Sequence, residues 1–172
     1  MQWLTEIFSS SSDQARLVTT LLVAAIAIAV VFINQWFASR RARKDKLIEK
    51  LEELYAAVIK LHELYLSTQK EIATGSPKGA KGVGRDSLLA MHESFETTGA
   101  HVYMLTGLYF PSLREKVVDV RKVYDDMYEG FLNAEEIQNY IGDYFGGIDD
   151  KMNRLFPTMY TDIQDAMEKT MH

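Results

Sequence analysis

Between Arg16 and Arg40 the chain runs for 23 residues without a charged side chain. An α-helix rises about 1.5 Å per residue, and a hydrocarbon core about 30 Å thick needs roughly 20 apolar residues to cross it. The segment 17–38, with VTTLLVAAIAIAVVFINQWF at its heart, meets that length. A core helix of a soluble protein rarely runs this far without a charge. Thr19 and Thr20 fit a span because their hydroxyls can return to the carbonyls one turn back. Trp36, with Asn34 and Gln35 beside it, sits where an aromatic belt is expected.

The flanks set an expected orientation. Glu6, Asp13 and Arg16 precede the span; Arg40, Arg41, Arg43, Lys44 and Lys46 follow it, opposed only by Asp45. Basic residues are retained on the cytoplasmic side, so the positive-inside rule puts the N-terminus outside and the rest in the cytoplasm. A cleaved signal peptide would want a basic start, a shorter apolar run and small residues at a cleavage site. Here the start is acidic and the run is followed by arginines, which favours an uncleaved anchor. These features suit a single-pass protein of a bacterial inner membrane.

The remaining chain divides by charge. Segment 40–46 carries five basic residues and one acid, whereas 47–172 carries 13 Lys and Arg against 21 Asp and Glu. An acidic body lacks the basic footprint that neutralises nucleic-acid phosphates, so nucleic acid is not an expected partner. The basic segment suits contact with anionic lipid headgroups through Arg40, Arg41, Arg43, Lys44 and Lys46, at about 1 kcal/mol per residue near the surface. Trp3 and Trp36 are the expected interface anchors. The sequence has no Cys, which removes disulfides, thiolate metal sites and cysteine nucleophiles.

Beyond the span the pattern is helical throughout. Leu47, Leu51, Leu54, Val58, Leu61, Tyr65, Thr68 and Ile72 alternate spacings of four and three, a heptad seam. Ile48, Tyr55, Ile59 and Leu66 widen it beyond a two-stranded coiled coil, toward a bundle core. No Gly or Pro separates this helix from the span. The segment 75–86, GSPKGAKGVGRD, reads as a flexible loop; its glycines do not match a phosphate-binding loop, and no strand precedes it. A second helix is expected from Ser87, capped by Asp86 or Ser87, to Tyr109, with Gly99 and Gly107 either weakening it or admitting a close neighbour. Pro111 suits a helix start, and Leu113, Val117, Val120, Tyr124, Met127 and Phe131 form the third seam, ending near Gly130 and Asn133. A fourth helix is expected from Ala134, loosened at Gly146 and Gly147, with a last segment past Pro157 carrying Leu155, Met159, Ile163 and Met167.

The expected fold is therefore all-α: a short extracytoplasmic tail (1–16), one transmembrane helix (17–38), a basic juxtamembrane segment (39–46) and a cytoplasmic antiparallel up-and-down bundle of about four helices (47–172). No chemistry-bearing motif appears. None of His62, His92, His101 and His172 follows a Glu by three residues, as a di-metal bundle requires; His92 and Glu96 are one turn apart, but two such residues do not make a site. Asp143, Asp149 and Asp150 fail the calcium-loop spacing and read as a solvated charged face. The chain is expected to be no enzyme and to need no cofactor or metal. It reads as a membrane-anchored interaction or scaffold protein, presenting an acidic helical surface to a cytoplasmic protein or to itself. The alternative is a small subunit of a pore, phage-type permeation or transport assembly. For that, Ala24, Ala25, Ala27 and Ala29 offer small helix faces, and Asn34 and Gln35 offer interhelical hydrogen bonds.

Overall fold

A computed structural model describes residues 11–74, 83–133 and 145–171. Over these residues the chain is helical: α1 spans Ser11–Thr74, α2 Val83–Tyr109, α3 Arg114–Asn133 and α4 Phe145–Met171, with a single 3-10 turn, Pro111–Leu113, ahead of α3. Among the described residues there is no strand. Two compact units divide the chain, Met1–Asp45 and Lys46–His172.

In the first unit, the described part of α1 is exposed along its whole length, apolar side chains included; Phe32 is 66% exposed. This helix is long and apolar enough to cross a membrane. As expected of a span, Thr19 and Thr20 donate their hydroxyls to the carbonyls of Ala15 and Arg16, at 2.7 and 2.9 Å. The polar oxygens are thereby satisfied within the helix at no need of water.

The second unit behaves oppositely. Leu51, Leu54, Val58, Leu61, Tyr65, Thr68 and Ile72 of α1 are all buried, one side of the helix at the predicted spacing. They meet Leu88, Phe95, Val102 and Leu105 of α2, Val117, Val120, Tyr124 and Met127 of α3, and Ile148, Met152, Phe156, Met159 and Ile163 of α4 in one apolar core. Leu113, in the 3-10 turn, closes it. Aromatic rings stack inside: Phe95 lies on Tyr124 with centroids 3.4 Å apart, and Tyr55 meets Tyr160 edge-on at 5.6 Å. Thr68 donates to the Leu64 carbonyl at 2.8 Å, which removes the cost of burying its hydroxyl on the seam.

Three local features differ from the sequence expectation. Helix α2 begins at Val83, so Asp86 and Ser87 lie inside it and Asp86 supplies the acidic group of the first turn. The dipole favours a carboxylate there as it would at a cap. Gly99 and Gly107 neither stop α2 nor mark a tight crossing: a Cβ on Gly99 would meet Leu61 at an ordinary 3.9 Å, and one on Gly107 would meet nothing. A glycine costs a helix only about 1 kcal/mol, less than the burial around it returns. Helix α4 runs through Gly146, Gly147 and Pro157. Pro157 and Asn153 are both exposed, so the carbonyl that Pro157 leaves without its N–H donor lies on the water side. Thr161 returns its hydroxyl to the Pro157 carbonyl at 3.0 Å. The Pro111 expectation holds, since Pro opens the 3-10 turn after Phe110 leaves helical geometry at φ −136°, ψ 62°. The expected start of the fourth helix at Ala134, Trp3 in the tail and most of the loop 75–86 lie outside the described residues.

Candidate membrane interface and polar clusters of the body

The predicted interface residues Trp36, Arg40, Arg41, Arg43 and Lys44 all lie on α1 in the first unit and are exposed. Two of them come together. The Arg40 guanidinium lies 3.9 Å above the Trp36 ring centroid, and Phe37 meets the same indole edge-on at 5.1 Å. The spacing that brings them together, four residues on one helix, was present in the sequence. The pair combines an amphipathic ring with a cation that it holds by its face, worth about 0.5–1 kcal/mol at an exposed site. Chemically it suits the depth where acyl chains give way to phosphates. Lys46 opens the second unit and is exposed.

Among the described residues of the second unit, polar groups gather between α1 and α4 and between α2 and α3. Between α1 and α4, His62 stacks on Phe156 at 4.3 Å and its Nδ1 lies 3.0 Å from the Tyr160 hydroxyl. One turn further along α1, the Tyr65 hydroxyl and the Gln69 amide both donate to Asp149 Oδ1, at 3.2 and 3.0 Å. Asp149 is thus half-buried and bonded across helices, not part of a solvated face; Asp150 is exposed as expected, and Asp143 lies outside the described residues. Sequence reasoning missed Asp149 because its partners are 84 and 80 residues away. Between α2 and α3, His92 stacks on Tyr128 at 4.0 Å and Glu96 accepts a hydrogen bond from Arg121. Burial, and then the Glu96 charge, raises the Asp125 carboxyl pKa there. Burial also pushes the Tyr124 phenol up to about 12. His92 and Glu96 therefore belong to different contacts. Among the described residues no three His, Asp or Glu side chains converge as a metal site would need.

Burial also holds the His62 imidazole below its ordinary value of 6.5, against the weaker pull of Glu63. The folded state then favours neutral His62, whose Nδ1 shares a hydrogen bond with the Tyr160 hydroxyl, its direction set by the tautomer. This contribution to stability is complete above pH 6.5 and is lost as pH falls through the lower folded-state pKa. The urea midpoint of residues 40–172 is expected to drop between pH 7 and pH 5, and His62→Gln is expected to flatten that drop. An unchanged slope in His62→Gln would show that other groups carry it.

Among the described residues of the second unit, the surface recesses include two between neighbouring helices. One, of about 330 Å³, lies between α2 and α3 over Leu61 and is lined by Phe95, Gly99, Tyr103, Val117 and Arg121. The other, a more open groove of about 640 Å³ between α3 and α4, has Asp119, Lys122, Asp126, Asp150, Lys151 and Arg154 along it. Its mixed charges suit a polar protein surface better than a buried small molecule. No protein-family model, curated protein or solved structure matches this chain.

Proposed function

We propose that this chain is a single-pass, non-enzymatic membrane protein that presents an acidic helical body to a cytoplasmic protein partner or to a second copy of itself. In this reading 17–38 anchors it in an inner membrane with the N-terminus outside. Residues 39–46 meet lipid headgroups, and 47–172 forms an antiparallel up-and-down bundle. The observation that carries the reading is the contrast along α1. Its residues from Leu17 to Phe37 expose nearly every apolar side chain, while those from Leu51 to Ile72 bury theirs on one seam. Apolar surface of that extent is costly in water and costs nothing in a bilayer.

The order of contacts supports the bundle topology. Tyr55 and His62 meet Tyr160, Tyr65 meets Phe156, and Gln69 meets Asp149, so numbers rise along α1 as they fall along α4. In the same way Tyr103 pairs with Arg114, Glu96 with Arg121 and His92 with Tyr128 between α2 and α3. The Lys116–Asp162 ion pair joins α3 to α4.

Because the heptad seam of α1 is spent inside the chain, pairing between copies falls to the outer faces of the body or to the span. The span's alanines, all exposed, favour the permeation reading to that extent; the size of the body counts against it. Sedimentation of residues 40–172, beside the full chain in mild detergent, separates these. The fragment is expected to be a helical monomer. An oligomeric or unfolded fragment would overturn the self-contained bundle. Oligomers of the full chain alone, with dye entry into expressing cells, would transfer the function to the span.

A further inference from the structure

The exposed apolar side chains of the second unit are not evenly spread. Tyr103, Met104 and Leu108 lie on the last two turns of α2, and Val118 on the first turns of α3; Leu108, at 68%, is the most exposed large apolar residue of this unit among those described. Met104 and Leu108 are one turn apart and share a helix face. They lead directly into Tyr109, Phe110 and the exposed Pro111 and Ser112 of the turn. Elsewhere Leu47, Leu66, Leu89, Leu132 and Met171 are exposed, no two of them neighbours on one helix face.

This turn lies at the end of the body where the chain arrives from the span. Tyr109 is close enough to Lys50 to bear on its charge, and His101 Nε2 is 3.0 Å from Glu53 Oε1 one or two turns further along. The opposite end, beyond Ile72, is about 30 Å away along α1. Chain connectivity limits how far the near end can stray. Ten peptide units separate Phe37 from Leu47, at most about 35 Å fully extended and about 15 Å as helix. The edge of the patch also carries a cation: the exposed Arg114 lies with its guanidinium 4.6 Å over the Tyr103 ring and donates to its hydroxyl. An aromatic ring, aliphatic side chains and an arginine at their rim match the boundary between acyl chains and phosphates.

We infer that the α2–α3 turn docks on the bilayer surface, seating Leu108 and Met104 at the headgroup–acyl boundary with Arg114 among the phosphates. This rests on the reading of 17–38 as a membrane span. So small a patch binds lipid weakly by itself, but the tether makes its encounter with the surface intramolecular. Docking would fix the body against the membrane and leave the acidic outer faces and the far end for a partner.

The chain has no cysteine, so single-cysteine probes can be read without background. The full chain would be reconstituted into vesicles of phosphatidylethanolamine and phosphatidylglycerol containing a nitroxide lipid. An environment-sensitive fluorophore would be placed in turn on Leu108→Cys, Leu132→Cys and Phe32→Cys, none of which removes a buried side chain. The Leu108 probe is expected to be blue-shifted, shielded from aqueous iodide, and quenched by the nitroxide lipid several-fold more strongly than the Leu132 probe. Equal behaviour at 108 and 132, with the Phe32 probe quenched, would overturn docking and leave the anchor standing. A Leu108 probe shielded from iodide but unquenched by lipid would mean that protein covers the patch, and would overturn it too. An unquenched Phe32 probe would remove the anchor and the docking together.

Discussion

Replacing Phe156 by Ala is expected to destabilise the body by about 3–5 kcal/mol, the range for truncating a fully buried aromatic. Phe156 is entirely buried. Its ring stacks on His62 and lies 6.3 Å from the Tyr65 ring centroid, so it joins α4 to the seam of α1. Truncation removes an apolar contact between these helices and leaves a void that a rigid core only partly closes. A domain of this size has a total stability of about 5–15 kcal/mol, so the variant would keep a fraction of it. Urea unfolding of residues 40–172, followed by helical circular dichroism, measures the change. Leu108→Ala is the matched control: it removes a large apolar side chain that water already reaches, and should stay within about 0.5 kcal/mol. Equal midpoints for the two variants would mean that α4 does not pack on α1 through Phe156.

Phe156 also shows what the sequence made legible and what it hid. Periodicity reports which face of a helix is apolar, and the seams of α1 and α3 were readable from it: nearly every predicted position of α1 beyond Leu47 is buried. Periodicity fails where a local breaker is over-read. Phe156 precedes Pro157, and the Phe-Pro pair looks like the one at Phe110–Pro111, where the chain does leave α2 and restart. At Pro157 the lost hydrogen bond faces water, and the helix continues with Phe156 in its core. The glycine-rich start of α2 is helical from Val83 for the same reason, since local propensity is smaller than the packing of Leu88 and Phe95 that follows. Contacts between helices were not legible at all. Asp149 has acidic and glycine neighbours and looks like a surface residue; only the fold brings Tyr65 and Gln69 to it. The interface residues are the reverse case. Trp36 and Arg40 are four residues apart on one helix, so their contact follows from helical spacing alone, and charge order along the chain, on which their proposed interface role rests, is likewise a local property.

That local property supplies the second large effect. Replacing Arg40, Arg41, Arg43 and Lys44 together by Glu is expected to abolish the bias that, in the proposed topology, holds the body in the cytoplasm. Orientation follows the excess of Lys and Arg near the ends of a span, with acidic residues contributing little. The four substitutions leave Lys46 close to one end and Arg16 close to the other. A fusion of paired reporters to the C-terminus, one active in the cytoplasm and one outside, is expected to change from one signal to a mixture or to the opposite signal. Two controls separate orientation from other losses. Arg40→Ala alone removes the contact with Trp36, worth about 0.5–1 kcal/mol, and is expected to leave orientation unchanged because the remaining basic residues still outnumber Arg16. In residues 40–172 the fourfold change should leave the urea midpoint unaltered, because none of the four side chains touches the core. An unaltered reporter signal from the fourfold variant would remove the positive flank as the determinant of topology, and the cytoplasmic placement of the acidic body would lose its physical basis. A switched signal with an unaltered midpoint would mean that a handful of charges beside the span decides which side of the membrane the body's surfaces meet their partner.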